Sequence, residues 1–356
     1  MSQPSGIVWS VTYACPLRCV HCYTESGRRR SHQLDLTEML AVADALIAMG
    51  PDEIAIAGGE PLLVHGIEQI GRRIRDAGIS TSLWTSGWNL TAERIDALAA
   101  SFAVIHVSVD GATAAVHDAI RGRKGSYDRA LNALAILNDA ATGRDAPLLF
   151  GIDCVVTRSN LGQLEELCTR IPALYSELRF ISLQAALPIG LASRLGFVEH
   201  ELLTDEEVIA FAASERVAGL QALAPPTVRI LANGHEGEHP YLNDQDPAIT
   251  FLEVEPDGGV RGFPIYEGTV GNVRTEPGPV LWERALARRR DPFVRQAFAT
   301  VRTSKDWAAA VRAMDQHFGT DEDRARFADR PVFLPLHPAD PPVTDPGGPA
   351  ERMHDE

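Results

Sequence analysis

Strand-like and helix-like segments alternate along the first half of this 356-residue chain. Short apolar runs, bounded by turn residues, are each followed by a stretch with helical spacing. The predicted strands cover residues 7–13, 53–57, 79–84, 102–109, 148–156 and 178–183, and the predicted helices cover residues 36–49, 62–77, 92–100, 127–138 and 161–170. Thr37 is the predicted cap of the first helix. This alternation predicts a parallel sheet built from βαβ units.

The most informative turns of the sequence all follow predicted strands. Because the C-terminal ends of parallel strands meet at one rim, this placement favours a barrel whose chemistry lies at that rim. An open, doubly wound sheet is the alternative, but its Gly-x-Gly-x-x-Gly fingerprint is missing after the first strand, where this chain has cysteines. We therefore expect an α/β fold, a partial (β/α)6 TIM-like barrel.

Composition narrows the function classes. A hydrophobic content of 45% can fill a sizeable core, and no apolar run approaches the ~20 residues that a membrane helix needs. The net charge of −15 argues against nucleic acid and membrane surfaces as partners, because such binding depends on clustered Lys and Arg. Five cysteines in 356 residues are too few for a disulfide framework, and an odd number cannot all be paired. We therefore expect a reducing, cytoplasmic location.

Three cysteines follow the first predicted strand in the stretch Cys15-Pro-Leu-Arg-Cys19-Val-His21-Cys22-Tyr23. Three thiolates can hold three irons of a [4Fe–4S] cube and leave the fourth iron open. A zinc site with His21 as fourth ligand is the alternative, but that residue lies between two ligands and no second Cys-x-x-Cys half is nearby. A redox pair of Cys19 and Cys22 would leave Cys15 unexplained. The spacing favours the iron–sulfur cluster.

A second motif, Gly58-Gly59-Glu60-Pro61, follows the second predicted strand. The glycines lack a Cβ atom, so the backbone there can approach a ligand and adopt positive φ. Glu60 offers an acceptor for a ligand ammonium group. Such a segment alone is usually a plain strand-to-helix turn. Beside the cysteine motif, we interpret it as a binding segment.

Together these two motifs resemble those of the radical S-adenosylmethionine (radical SAM) superfamily, over roughly residues 6–185. The resemblance implies an enzyme in which the amino and carboxylate groups of S-adenosylmethionine chelate the open iron. In that family the reduced cluster cleaves S-adenosylmethionine to methionine and a 5′-deoxyadenosyl radical, which takes a hydrogen atom from the substrate. A reductant such as flavodoxin or ferredoxin is implied as a partner.

The resemblance also assigns roles at later strand ends. Tyr23 matches the aromatic position that contacts adenine, and Ser86 lies in Thr-Ser-Gly where other members carry Thr-Asn-Gly. Ser108 and Asp110 match positions that contact ribose or methionine, and Arg121 could pair with the carboxylate of the cofactor. Taken singly, these residues also fit ordinary turns and a surface ion pair.

The C-terminal third resembles the SPASM or twitch extension of that superfamily, a small α+β unit. Residues 252–271 match its hairpin, with Asp257-Gly258 as the turn. Ile265 stands where that branch has a cluster ligand, and no cysteine follows Cys168, so we expect one [4Fe–4S] cluster and no auxiliary cluster. The predicted divisions are a barrel core (1–200), a substrate-binding extension with capping helices at 282–290, 293–301, 306–318 and 321–327 (201–335), and a disordered tail (336–356).

The sequence constrains the substrate and the reaction outcome least. The leading expectation is tailoring of a ribosomally made peptide by epimerisation, another redox-neutral change, or C–C or C–X bond formation, with a leader-binding partner protein presenting the peptide. The alternative is a small molecule, a sugar, nucleoside or tetrapyrrole-type acid, changed by epimerisation, elimination or decarboxylation. A non-catalytic iron–sulfur protein is a remote alternative, since both motifs are intact.

Other candidate residues carry weaker signals. Cys154 lies on a predicted strand and is the candidate hydrogen donor to a substrate radical, although buried cysteine is usually a small hydrophobe. Residues 188–192, after the sixth strand, resemble a rim loop that contacts substrate. His235 and His239 lie in a glycine-rich segment that is more typical of a connector than of a metal site.

Overall fold

The computed structural model describes residues 3–30, 32–144, 148–234, 251–262 and 265–336. Its strands are β1 (Gly6–Ser10), β2 (Glu53–Ala57), β3 (Ser80–Thr85), β4 (Val104–Ser108), β5 (Leu149–Val156), β6 (Phe180–Ala185), β7 (Arg229–Asn233), β8 (Phe251–Val254), β9 (Gly259–Arg261) and β10 (Thr269–Asn272). Its helices are α1 (Leu36–Ile47), α2 (Ile67–Asp76), α3 (Ile95–Ser101), α4 (Ala114–Arg121), α5 (Ser126–Ala141), α6 (Arg158–Leu161), α7 (Leu164–Leu174), α8 (Leu195–His200), α9 (Asp205–Ala212), α10 (Ser214–Leu223), α11 (Gly278–Arg289), α12 (Pro292–Ala299), α13 (Ser304–Phe318) and α14 (Asp321–Ala328). Short 3₁₀ turns cover Pro61–Leu63, Ala92–Arg94 and Gly190–Ser193. In the described part of the chain, no helix is long and apolar enough to cross a membrane.

The described strands form one sheet in the order β10-β9-β8-β1-β2-β3-β4-β5-β6-β7. Neighbours from β1 to β7 are parallel, and β8 pairs in parallel with the free side of β1. The pairs β8–β9 and β9–β10 are antiparallel. All six strands predicted from sequence are present, and each βα crossover places the following polar turn at the same rim.

Helices pack on one face of this sheet. Alternate strand residues such as Ile54, Leu83, Ile105 and Ile152 are fully buried and share one hydrophobic core with α1, α2, α3, α5 and α7. Because successive side chains of a strand point to opposite faces, the residues between them form an inner face away from those helices. Helices outside and an inner face within are the arrangement of a partial β/α barrel, which confirms the predicted fold class.

The start of α1 illustrates how local sequence sets an element. Asp35 caps the helix: its carboxylate accepts from the backbone N–H of Glu38 at 2.9 Å, while the Glu38 carboxylate accepts from the N–H of Asp35 at 3.1 Å. This reciprocal capping box satisfies two helix-end donors. The predicted cap, Thr37, is wrong, because Thr37 already lies inside the first turn.

The C-terminal part of the chain continues the barrel sheet. The predicted hairpin is present as β8 and β9, whose turn contains Gly258 with φ of 90°. The four predicted capping helices correspond to α11, α12, α13 and α14. The division into a barrel core at 1–200 and an extension at 201–335 stays a prediction. The predicted disordered tail lies almost wholly outside the described residues, and so do His235 and His239.

Candidate active site

The three predicted cluster ligands lie on one loop, residues 11–30, between β1 and α1, here called the cysteine loop. Cys15, Cys19 and Cys22 are free and half-buried. Burial, and then the neighbouring Cys19 thiol, raises the pKa of Cys15 well above its usual range. Burial also raises the pKa of Cys19 to about 11. The thiols therefore lie close enough to influence one another, and binding of a metal would displace their protons.

The Gly-Gly segment after β2 packs directly against the cysteine loop. Gly59 N–H donates to the carbonyl of Thr12 at 2.7 Å, and Glu60 N–H donates to the carbonyl of Ala14 at 2.9 Å. A Cβ atom at Gly58 would lie 2.5 Å from the Thr12 carbonyl oxygen, and one at Gly59 would lie 2.2 Å from that of Ala14. The two glycines are thus required for the contact between loop and strand end.

Replacing Gly59 by alanine is expected to displace the cysteine loop at the residue before Cys15. The new methyl group would overlap the backbone of Ala14, and such overpacking typically costs about 1–3 kcal/mol. We expect a lower unfolding temperature and less bound iron after anaerobic reconstitution. Gly219→Ala is the matched control, because Gly219 lies in α10 with open space around its Cβ position. Equal iron content in the two variants would contradict the contact.

Glu60 joins the ends of β2 and β3. Its side chain is fully buried, and one oxygen accepts from Thr85 Oγ1 at 2.6 Å and from the N–H of Leu62 at 3.0 Å. The other oxygen accepts from the N–H of Ser86 at 2.8 Å and from the Ser86 hydroxyl. Pro61 follows as the first residue of a 3₁₀ turn. The carboxylate is already hydrogen-bonded within the protein, and its predicted contact with a ligand ammonium stays a prediction.

Asp110 and Arg121 tie the cysteine loop to the end of β4. The fully buried Asp110 carboxylate lies 2.6 Å from Arg121 Nε and 2.9 Å from His21 Nε2, and its other oxygen accepts from the N–H of Val155. Burial raises the pKa of Asp110, but the charge of Arg121 and the hydrogen bond from His21 outweigh burial and hold it well below its usual range. The Arg121 guanidinium also lies 3.8 Å from Cys19 Sγ. Their predicted contacts with the cofactor stay predictions.

The rim loop after β6 holds the last part of the cysteine loop. Gly190, with φ of 53°, packs so closely that a Cβ atom there would lie 2.3 Å from the Tyr23 carbonyl oxygen. Leu191 N–H donates to the carbonyl of Cys22 at 3.1 Å. Tyr23 itself packs at the edge of a hydrophobic cluster that contains Ile189 and residues of α12 and α13. The segment 188–192 therefore positions the cysteine loop, a role the sequence did not predict.

Two predicted residues lie on opposite faces of the barrel. Ser108 ends β4 on the inner face and is half-buried, close to the rim. Cys154 lies on the outer face of β5, 1% exposed, within the core that the helices cover. Asn160 Nδ2 lies 3.7 Å from Cys154 Sγ and donates to the backbone carbonyl of Asp110 at 2.9 Å, so Cys154 lies near the end of β4 on the helix side of the sheet. Its role as hydrogen donor stays a prediction.

The inner face carries a polar cluster that sequence reasoning missed. His106 Nδ1 lies 2.5 Å from Asp153 Oδ2, and the ring of Trp84 stacks on the His106 ring with centroids 4.2 Å apart and planes 5° apart. Phe180 contacts the other side at 5.0 Å. Spacing along the sequence gives no signal for these pairs, because each member comes from a different strand.

The hairpin of the C-terminal part encloses a buried charged network. Arg261 is fully buried, and its guanidinium lies 3.2 Å from Glu255 and 3.8 Å from both Glu253 and Glu267. Ile265, the residue at the predicted ligand position, has φ of 66° and donates its N–H to Glu253 at 2.6 Å. The absence of an auxiliary cluster stays a prediction, based on the missing cysteines.

Sequence comparison places the chain among known proteins. Residues 9–155 match the Radical SAM superfamily. The mycofactocin maturase MftC of Mycolicibacterium smegmatis is 36% identical over 47% of this chain, but the match spans only 41% of MftC. The AdoMet-dependent heme synthase of Methanosarcina barkeri is 34% identical over 82% of this chain and 86% of its own length. The chain belongs to the radical SAM superfamily. The structure of Streptococcus suis SuiB bound to S-adenosylmethionine has the same fold, with a TM-score of 0.63, 16% identity, and coverage of 79% of this chain and 66% of SuiB.

Membership makes the chain a radical SAM enzyme with a [4Fe–4S] cluster and S-adenosylmethionine as cofactors. The donor set on the cysteine loop fits such a cluster, since three thiolates on one loop can each take a different iron. Within the described ranges, no three His, Cys, Asp or Glu side chains are grouped around a position for one metal ion. The assignment of the cluster to the cysteine loop rests on its three thiols and stays a prediction.

Proposed function

We propose that this radical SAM enzyme abstracts a hydrogen atom from a ribosomally made peptide and tailors it. The tailoring would be epimerisation, another redox-neutral change, or C–C or C–X bond formation. A reductant such as flavodoxin or ferredoxin would supply the electron, and a leader-binding partner protein would present the peptide. A reducing cytoplasm suits the chemistry, because all five cysteines of the chain are free thiols.

The observation that carries the choice of a peptide is the charge of the barrel strands. None of the strands β1 to β6 contains Lys or Arg. Their inner face instead presents acceptors and hydroxyl groups, including Glu53, Ser82, Ser108 and Asp153. Amide N–H groups and amines of a peptide would find acceptors there, whereas the carboxylates of an acidic small molecule would find no cationic partner on these strands.

The roles that we propose at the rim come from the family resemblance, and the packing of these segments around the cysteine loop supports them. Cys15, Cys19 and Cys22 would hold the cluster. Around S-adenosylmethionine we place Tyr23, Gly58, Gly59, Glu60, Pro61, Ser86, Ser108, Asp110 and Arg121. When bound, the cluster and S-adenosylmethionine together supply hydrogen-atom abstraction. The protein itself fixes where this happens, because the buried carboxylates of Glu60 and Asp110 join the ends of β2, β3 and β4 to one another and to the loop.

A small acid of the tetrapyrrole type is the second candidate, and a sugar or nucleoside is the third. The second candidate is favoured by the long alignment with the Methanosarcina barkeri heme synthase. Propionate groups would need cationic side chains from outside the six barrel strands. On the β6 side of the sheet, Arg229 on β7 is the first such residue.

The proposal is tested with any short peptide that is encoded beside the gene, and with a propionate-bearing porphyrin, a sugar and a nucleoside as competing substrates. The anaerobically reconstituted chain, S-adenosylmethionine, a reductant and each full-length synthetic peptide are incubated with and without any neighbouring leader-binding protein. We expect 5′-deoxyadenosine to form in step with a mass or stereochemical change in one peptide. Unchanged peptides together with conversion of a propionate-bearing porphyrin, or of a sugar or nucleoside, would overturn the choice of a peptide.

A further inference from the structure

We propose that Asp153 and His106 on the inner barrel face form a binding site for a cationic nitrogen of the substrate, the ammonium of a lysine-like side chain or a guanidinium. This inference rests on the proposed peptide substrate and names the group that the barrel recognises. The site lies outside the cysteine loop, and it adjoins Ser108, one of the residues that we place around S-adenosylmethionine.

The pair is a built structure rather than a chance contact of surface residues. Asp153 is 8% exposed, and its Oδ2 lies 2.5 Å from His106 Nδ1. The imidazole is fixed on both sides, by the parallel ring of Trp84 at 4.2 Å and by the tilted ring of Phe180 at 5.0 Å. Trp84 is fixed in turn, because its indole N–H donates to Ser82 Oγ at 3.2 Å. The histidine therefore cannot turn away from the carboxylate without breaking these contacts.

The second oxygen of the Asp153 carboxylate is available to accept a hydrogen bond from a substrate. Asp153 Oδ1 is buried and has no hydrogen-bond partner. The His106 imidazole reaches only Oδ2, and register places serines, not cations, beside Asp153 on both neighbouring strands, Ser108 on β4 and Ser182 on β6. A buried carboxylate oxygen without a donor is costly, by about 1–3 kcal/mol or more. A donor from the substrate would remove this cost, and a cation would pair with the charge as well.

The surroundings favour a cation on a long apolar stem. Trp84 and Phe180 contact the His106 ring that binds the carboxylate, so aromatic surface lies within the site, which suits both a methylene chain and a positively charged end. Asp153 lies level with Ser108, the last residue of β4, whereas His106 lies two residues, or roughly 7 Å, deeper along the strand. A lysine-like or arginine-like side chain that enters from the rim would place its charged end at Asp153 and its carbon chain nearer to the chemistry.

The test uses two probes that differ only in the charged end. Nα-acetyl-lysine amide and Nα-acetylnorleucine amide are titrated separately into the anaerobically reconstituted chain, and binding is measured by calorimetry at pH 7.5. We expect the lysine probe to bind at least tenfold more tightly than the norleucine probe. Nα-acetylarginine amide, titrated separately, should show the same preference over the norleucine probe. Equal affinity for the lysine and norleucine probes, or no binding of either cationic probe, would overturn the proposal.

Asp153→Asn then locates the binding. This variant keeps the shape of the side chain and an acceptor for His106 but removes the charge, so the preference for the lysine probe should disappear. Asp139→Asn, on the exposed surface of α5, removes one carboxylate elsewhere and should keep the preference. An unchanged preference in Asp153→Asn would overturn the assignment, and the comparison of probes on the unsubstituted chain holds even if this variant fails to fold. Tailoring of a peptide without cationic side chains would defeat this inference and leave the proposed function standing.

Discussion

Replacing any one of Cys15, Cys19 or Cys22 by alanine is expected to abolish iron binding and S-adenosylmethionine cleavage together. A cube held by three thiolates has one iron without a protein ligand, and loss of one more thiolate leaves two irons without a protein ligand. No other cysteine can substitute, because the remaining cysteines of the chain, Cys154 and Cys168, are buried in the core behind the sheet. We expect iron to fall from about four per chain to background, with no 5′-deoxyadenosine formed under reduction.

The control for these variants is Cys168→Ala. Cys168 lies on α7, fully buried among apolar side chains, and alanine there removes only a thiol from the core. This variant should retain iron and cleavage. Full activity in Cys19→Ala would contradict the assignment of the cysteine loop. Iron near eight per chain in the unsubstituted protein would contradict the prediction of a single cluster.

The strand ends are the part of the site that the sequence predicts best. Turns that carry cysteines, Gly-Gly-Glu-Pro or Ser-Val-Asp-Gly follow apolar runs too short to be helices, and parallel pairing brings all such turns to one rim. That argument needs neither register nor side-chain direction. It therefore places Cys15, Gly59, Ser86 and Asp110 near one another in advance of any coordinates.

Side-chain partners at the rim are much less predictable. The resemblance assigns Glu60, Asp110 and Arg121 to ligand contacts, whereas in the structure their charged groups bind Thr85, Ser86, His21 and one another. The contacts of Glu60 with Thr85 and Ser86 and of Asp110 with His21 join residues that are 25 to 89 positions apart. Their geometry depends on how far each strand extends before it turns, and the predicted first strand already ends three residues later than β1 does.

The face of the sheet on which a strand residue lies is the second feature that the sequence does not predict. Along β5, Asp153 faces inward and Cys154 faces the helices, and a shift of one residue in register would exchange them. Both neighbours of Asp153, Ile152 and Cys154, are apolar, as a strand buried on both faces would also show. The sequence therefore places Cys154 on a barrel strand but does not reveal its face, and it gives no sign that His106, 47 residues earlier, is the partner of Asp153.

Replacing Arg121 by methionine is expected to destabilise the fold by about 3–5 kcal/mol, because it leaves the buried Asp110 carboxylate without its cationic partner. Methionine retains most of the apolar stem, so the loss reflects the charge. Arg73→Met is the matched control, since Arg73 pairs with Asp44 at a similar distance of 2.7 Å on the surface, with both side chains about half exposed. Water can solvate the Asp44 carboxylate in place of Arg73, so we expect no measurable loss of stability.

The double variant Asp110→Asn with Arg121→Met separates a buried charge from lost packing. Without the carboxylate no uncompensated charge remains, and asparagine can still accept from the N–H of Val155. Urea unfolding should therefore show the double variant to be more stable than Arg121→Met alone. Both variants should hold less iron than the unsubstituted chain, because Cys19 loses its contact with Arg121 in each, and His21 also loses the Asp110 carboxylate in the double variant. An Arg121→Met protein as stable as Arg73→Met would contradict the buried pair, and a double variant no more stable than Arg121→Met would assign the loss to packing.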